Sequence, residues 1–164
     1  MHLRAITATI MLFLLVASGL SAHTASNTDP NDTPGRFDIL RTTLKHPDKL
    51  VLETEVAGNI RKADFRGREN VFLWSLDTTG DDDFDYYVFL DTLRRDGRVR
   101  YKCMVLRNKE RVAVLPAIVD GDTGICRVRL PLVDGLPETW NMYTELGGNG
   151  DAAPDVGRFV HGIT

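Results

Sequence analysis

The sequence has few of the side chains that perform covalent or metal-assisted catalysis. Its 164 residues include two cysteines and four histidines, and Ser75 is the only serine after residue 36. No HExxH, GxSxG, GxGxxG or phosphate-binding loop motif occurs. The cysteines also lack the CxxC spacing of a zinc site. Catalysis by serine, cysteine or zinc is therefore disfavoured, and only carboxylate chemistry stays open.

The chain also lacks an excess of positive charge and a long apolar run. Its formal net charge is −3, with 43% hydrophobic and 26% charged residues, which is ordinary for a globular protein. No basic field is present to attract nucleic acid. The length suits one domain, and we expect a monomer with no membrane span once an N-terminal signal is removed.

The first 25 residues have the order of a secretory signal peptide. Arg4 precedes the apolar run 6–16, and small residues follow at 17–22. Cleavage after Ala22 or Ala25 would release the chain to the periplasm or the extracellular space; the alternative is an uncleaved anchor. Residues 26–36 are polar and predict a flexible leader, so the folded domain is expected over 37–164.

Cys103 and Cys126 are expected to form a disulfide bond. Export places both in an oxidising compartment, where pairing is the default. Closing a loop of this length stabilises the fold by about 3 kcal/mol on the chain-entropy model. The alternative is a pair of buried free thiols.

Beyond residue 37 the apolar pattern has the period of strands rather than helices. Short runs rich in β-branched and aromatic residues alternate with turns such as Asp96-Gly97. The predicted strands are Phe37–Leu44, Leu50–Val56, Val71–Asp77, Tyr86–Leu93, Val99–Leu106, Val112–Val119, Ile125–Leu130, Thr139–Leu146 and Arg158–His161. Eight or nine strands predict an all-β, antiparallel, jelly-roll-like β-sandwich, with an up-and-down barrel as the alternative.

Alternation within two of these strands predicts a cationic face. Val99, Tyr101, Cys103 and Val105 share one side of their strand, and Cys126, Val128 and Leu130 share one side of theirs. The opposite sides carry Arg98, Arg100, Lys102, Arg127 and Arg129. These five could bind a phosphorylated, sulfated or uronate ligand; the alternative is a solvated outer face with cross-strand ion pairs.

Residues 77–91 carry six acidic side chains and no basic one. Read from Asp77, oxygen-bearing side chains recur at every second position, as in the first part of an EF-hand calcium loop. The predicted metal ligands are Asp77, Thr79, Asp81, Asp83 and Asp85. Asp82 stands where that loop needs glycine, and Val88 where it needs a closing glutamate. A solvated acidic turn is the alternative.

Trp74 and Trp140 each lie in an alternating run with other large apolar residues. Exposed tryptophans stack on sugar rings, whereas buried ones build a core. The alternation favours the core position for both.

Two segments resemble secreted bacterial β-sandwich domains grouped with DOMON-like domains and family 9 carbohydrate-binding modules. Residues 71–81 with 85–88 are similar to the strand, acidic loop and strand of those domains. Residues 140–144 with 151–157, which include the D-x-A-P-D-x-G tail, are similar to their closing strand. The resemblance implies an exported, calcium-stabilised jelly roll without catalysis of its own, and it points to Asp77, Asp81 and Asp85 as metal ligands, with Asp83 behind them.

Members of that wider group bind sugars or haem. Haem would need axial Met and His ligands, and Met104, Met142, His46 and His161 match no such motif. The expected function is therefore a non-catalytic module that binds carbohydrate or another anionic extracellular polymer. The alternatives are a small secreted hydrolase with an Asp/Glu pair and a secreted inhibitor that acts through protein contacts.

Overall fold

The protein is described from a computed structural model, which covers residues 24–46, 48–66, 70–129, 132–133 and 135–161. These residues form eleven strands and one short 3-10 helix at Lys62–Phe65, with no α-helix among them. The strands are β1 (Thr24–Thr28), β2 (Ile39–Lys45), β3 (Leu50–Val56), β4 (Val71–Asp77), β5 (Tyr86–Arg95), β6 (Arg98–Arg107), β7 (Glu110–Asp120), β8 (Thr123–Val128), β9 (Thr139–Leu146), β10 (Asn149–Ala153) and β11 (Phe159–Val160). The prediction of an all-β protein is confirmed, with more strands than the eight or nine expected.

Most of the predicted signal peptide, residues 1–23, lies outside the described residues. Pro47 and Leu130 lie outside them as well. Residues 24–28, at the junction of the predicted signal and leader, form β1, which pairs with β2 over its whole length. The segment is polar, so it carries none of the apolar alternation that identifies a strand in a sequence. Its strand geometry comes from backbone pairing along the edge of the sheet.

All strand pairs are antiparallel. The order across the sheet is β1-β2-β3-β8-β7-β6-β5-β4-β9-β10, and β11 pairs with β9. The two ends of this path meet, because β10 contacts β2 and the Asp151 carboxylate accepts a hydrogen bond from the Ile39 N–H at 2.6 Å. The sheet is therefore curled into a half-barrel around the core. The two separate layers of a sandwich stay a prediction.

Strand β7 exchanges one partner for another at its centre. Pro116 is opposite Lys102 of β6, whereas Ala117 is opposite Cys126 of β8. Proline has no N–H to donate, so it suits the point where a ladder ends. The predicted disulfide is confirmed at this same point, since Cys103 and Cys126 are bonded with a Cα separation of 5.8 Å. The bond joins β6 to β8, which approach each other where β7 leaves the first strand and pairs with the second.

The core is filled by the inward-facing residues of the curled sheet. Trp74 and Trp140 are both fully buried, which confirms their predicted core positions. The Trp74 indole N–H donates to the Thr54 hydroxyl at 3.0 Å, and that hydroxyl also pairs with Thr42 at 2.8 Å. The indole N–H of Trp74 therefore has a hydrogen-bond partner inside the core.

Candidate functional sites

The acidic loop joins β4 to β5, and its first aspartate is its most buried. Asp77 ends β4 with its side chain 1% exposed. Its Oδ1 accepts hydrogen bonds from the backbone N–H groups of Thr79 and Gly80, at 3.1 and 2.7 Å. Its Oδ2 accepts from the Thr139 hydroxyl at 3.1 Å and from the Arg158 guanidinium at 3.3 Å. Both carboxylate oxygens are thus engaged within the protein.

These contacts set the charge state of Asp77. Burial alone would raise the pKa of its carboxyl group, but hydrogen bonds from the backbone of Gly80, the Thr139 hydroxyl and the backbone of Thr79 outweigh it and lower the pKa. Arg158 also stacks on the Phe84 ring, with the guanidinium carbon 4.0 Å from the ring centre, and donates to the Asp82 carbonyl. A built-in cation therefore lies against the base of the loop.

The remaining predicted metal ligands serve the turn itself. Asp85 accepts from the backbone N–H and the hydroxyl of Thr78, at 2.7 and 2.9 Å, and its Oδ2 is 3.4 Å from the Thr79 hydroxyl. Asp81 accepts from the Asp83 N–H at 3.1 Å, and both side chains are exposed. Within the described chain, no three carboxylates of this loop bring ligating atoms within 4.8 Å of one another. Calcium binding here stays a prediction.

The predicted cationic residues lie on two strands that are not neighbours. Arg98 and Arg100 are exposed on β6, while Arg127 on β8 and Arg129 after it are also exposed. Strand β7 separates the two pairs. Lys102 is 17% exposed and forms an ion pair with Asp91 at 3.0 Å. The structure thus divides the expected face into a β6 group and a β8 group.

A groove of about 690 Å³ lies over the β6 group. The residues that line it include Leu93, Arg95, Arg100, Lys102, Arg111, Val112, Val114 and Pro116. Register places several of them on one face, because Leu93 is opposite Arg100 and Pro116 is opposite Lys102. Arg95 and Arg111 were not among the predicted ligand residues. The signal for them was the run of basic residues at 94–111.

The floor of this groove is apolar and open to solvent. Leu93, Val112 and Val114 are 42–43% exposed. In the described part of the chain neither Arg100 nor Arg111 forms an ion pair. The groove therefore combines unpaired guanidinium groups with exposed aliphatic side chains.

A second acidic cluster, not predicted as a site, lies where the two ends of the sheet meet. Five aspartates contribute to it: Asp29, Asp32, Asp38, Asp151 and Asp155. One ligating oxygen from each of Asp29, Asp151 and Asp155 lies within 4.8 Å of the others, and the same holds for Asp32, Asp38 and Asp151. Asp151 belongs to both groups. We name these five residues the Asp151 cluster.

Charge repulsion and burial act together in the Asp151 cluster. Burial raises the pKa of Asp29 to about 7, with further contributions from the negative charges of Asp151 and Asp155. Burial also raises the pKa of Asp151, against hydrogen bonds from the Ile39 N–H and the Thr33 hydroxyl. These carboxylates are therefore poorly compensated by the protein alone.

Two of the residues considered for haem also meet. The buried rings of His46 and His161 lie edge to face with centroids 4.9 Å apart, and Nδ1 of His161 is 2.9 Å from the Pro137 carbonyl oxygen. Met142 is buried in the core, whereas Met104 is partly exposed. The contact between the imidazoles is ring packing.

Comparison with protein-family models, with curated proteins and with solved structures finds no match to this chain. Among the described residues no helix has both the length and the apolar character needed to span a membrane.

Proposed function

We propose that this protein is an exported, non-catalytic module that binds an anionic extracellular polysaccharide in the groove over β5, β6 and β7. The observation that carries the proposal is that unpaired guanidinium groups lie beside an exposed aliphatic floor in that groove. A polymer that bears uronate or sulfate groups offers both of the complementary surfaces. Its charged groups face the arginines, and its C–H faces cover the apolar floor.

The charged part of the recognition is provided by arginine. A guanidinium group presents donors in a planar fork that matches carboxylate and sulfate oxygens. Arg100 and Arg111 have these donors available, whereas Lys102 is already paired with Asp91. Arg100 and Arg111 are therefore the expected anion-binding residues.

The apolar part of the recognition would explain why aliphatic side chains of β7 are exposed. Val112, Val114 and Ile118 are each more than 40% exposed on one face of that strand, although aliphatic residues at successive alternate positions normally face a core. A ligand that covers Val112 and Val114 would remove that surface from water. The two tryptophans are both buried, so they are not available as a stacking platform.

Export is supported by the order of residues 1–25 and by the bond between Cys103 and Cys126, which persists in oxidising compartments. We also propose that the curled sheet is a two-layer, jelly-roll-like sandwich. The exchange of partners by β7 at Pro116 is the corner at which one strand would pass between layers.

The proposal is tested by calorimetric titration of the mature protein with polygalacturonate, a sulfated glycosaminoglycan and neutral dextran. We expect binding of at least one anionic polymer, no binding of dextran, and weaker binding as salt is added. The variant R100Q/R111Q should lose binding by about tenfold or more, because each charge-assisted hydrogen bond contributes about 1.5–3 kcal/mol.

The matched control is R127Q/R129Q, which removes the same charge from one exposed residue on β8 and one just after it. It should bind like the parent protein. Absence of binding to both anionic polymers would refute the proposed function. Equal losses in the two double variants would show that binding follows net charge rather than the groove.

A further inference from the structure

The Asp151 cluster concentrates negative charge at the junction of the sheet ends. Its members are far apart in the chain. Asp29, Asp32 and Asp38 precede β2, whereas Asp151 is on β10 and Asp155 follows that strand. Thr33 links the two sides, because its N–H donates to Asp38 at 2.9 Å and its hydroxyl donates to Asp151 at 3.2 Å. The carboxylates are therefore held together by the fold.

Two carboxylates in the cluster each have an oxygen that is buried without a hydrogen-bond partner. Asp38 is 1% exposed, and its Oδ2 has no hydrogen-bond partner. The Oδ2 of Asp29 is likewise buried without a partner. Across the described residues no ion pair joins a lysine, or an arginine other than Arg107, to any member of the cluster. A buried carboxylate oxygen without a donor is costly, so this arrangement calls for a cation.

The donor set selects the class of cation. All the side-chain ligands are carboxylate oxygens, which suit hard divalent cations rather than zinc or copper. Calcium binds six to eight oxygens at about 2.4 Å, so two of its ligands lie at most about 4.8 Å apart. The oxygens in each group of three lie within 4.8 Å of one another. The spacing within each group of three therefore suits one ion, and the group of Asp32, Asp38 and Asp151 contains the buried, unpartnered Asp38 oxygen.

We propose that the Asp151 cluster is a calcium site in which Asp38 and Asp151 are the buried ligands and Asp32 is the third carboxylate, while Asp29 and Asp155, which approach the same Asp151 side chain, add negative charge beside the ion. The site is distinct from the Asp77–Asp85 loop. Bound calcium would join the segment before β2 to β10 and so hold the two ends of the curled sheet together. It would also order residues 29–38, which the sequence alone predicts to be mainly a flexible leader.

The test is calcium titration of the mature protein after treatment with a chelator, followed by calorimetry and thermal unfolding. We expect binding with a clear rise in melting temperature at millimolar calcium. Asp38→Asn should weaken calcium binding at least about tenfold, since affinity follows the number of charged ligands. Asp81→Asn, in the other acidic loop, is the matched control and should keep both the affinity and the thermal shift.

Asp29→Asn guards against a folding defect in the Asp38 variant. Removing one of the repelling charges should raise the melting temperature of the calcium-free protein while reducing the rise that calcium produces. No calcium-dependent thermal shift in the parent protein would overturn the proposal. Loss of binding in Asp81→Asn with normal binding in Asp29→Asn would also overturn it, because it would place the ion in the loop.

Discussion

At the scale of single residues, Arg158 provides a positive charge at the base of the Asp77–Asp85 loop. Its guanidinium pairs with Asp77, stacks on Phe84 and donates to the Asp82 carbonyl. The sequence does not indicate this role, because Arg158 lies 81 residues from Asp77 in the chain. The sequence shows the acidic pattern of the loop, but it does not show that Arg158 provides the compensating positive charge.

We expect Arg158→Gln to lower the free energy of unfolding by about 2 kcal/mol, because it removes a charge-assisted contact to a buried carboxylate. Urea titration measures the change. Arg95→Gln is the control, since the pair between Arg95 and Asp96 is exposed and exposed pairs contribute little. If both variants unfold at the same urea concentration, Arg158 does not stabilise the loop.

The lowered pKa of the Asp64 carboxyl group makes the free energy of unfolding depend on pH in the acid range. Burial would raise the pKa of its carboxyl group, but the Arg36 side chain, which forms two hydrogen bonds with it at 2.8 and 3.2 Å, and the Arg61 N–H outweigh burial and lower the pKa. A lowered folded-state pKa stabilises the protein above the unfolded value of 3.8. That stabilisation is lost as the pH falls through the folded pKa.

We therefore expect the difference in urea midpoint between the parent and Asp64→Asn to narrow from about pH 5 to about pH 2.5 at constant salt. The comparison with the variant isolates Asp64, because the raised pKa of Asp29 makes that residue stabilise the protein as the pH falls. Asp96→Asn, at an exposed turn, should leave the profile unchanged. A midpoint difference between the parent and Asp64→Asn that stays constant or widens on acidification would contradict the assigned direction of the Asp64 pKa shift.

At the scale of elements, alternation predicted the strands that bury one face. The bounds of β3, β4 and β9 agree with the expected ranges, because their apolar residues recur at every second position. β10 was missed, since its sequence NGDAA has little strand propensity. It forms because Gly147 and Gly148, both at positive φ, make a tight turn that returns the chain along β9.

The disulfide acts at this scale because it joins β6 to β8 where β7 changes partners. The variant C103A/C126A should lose about 3 kcal/mol of unfolding free energy relative to the oxidised protein, since the unfolded chain regains the entropy of an open loop. Urea titration checks the value, and the parent protein under reducing conditions is the control. Equal stability of the oxidised and reduced parent would contradict this account.

At the scale of the whole molecule, neither candidate site was fully readable from the sequence. Alternation within two strands predicted a cationic face, but strand register decided that Arg100 and Arg111 line the groove while Arg127 does not. The Asp151 cluster was less readable still, because it depends on the meeting of the first and last parts of the sheet. Local patterns predict faces, whereas only closure of the sheet brings distant faces together.

The most direct test of the proposed function is a backbone amide NMR titration of the mature protein with short galacturonate or sulfated glycan oligomers. The account predicts that the amide shifts change mainly along 93–102 and 111–116, the strands that line the groove. It is contradicted if saturating oligomer leaves those amides unmoved, or if the changes concentrate at 77–85 or 127–129 instead.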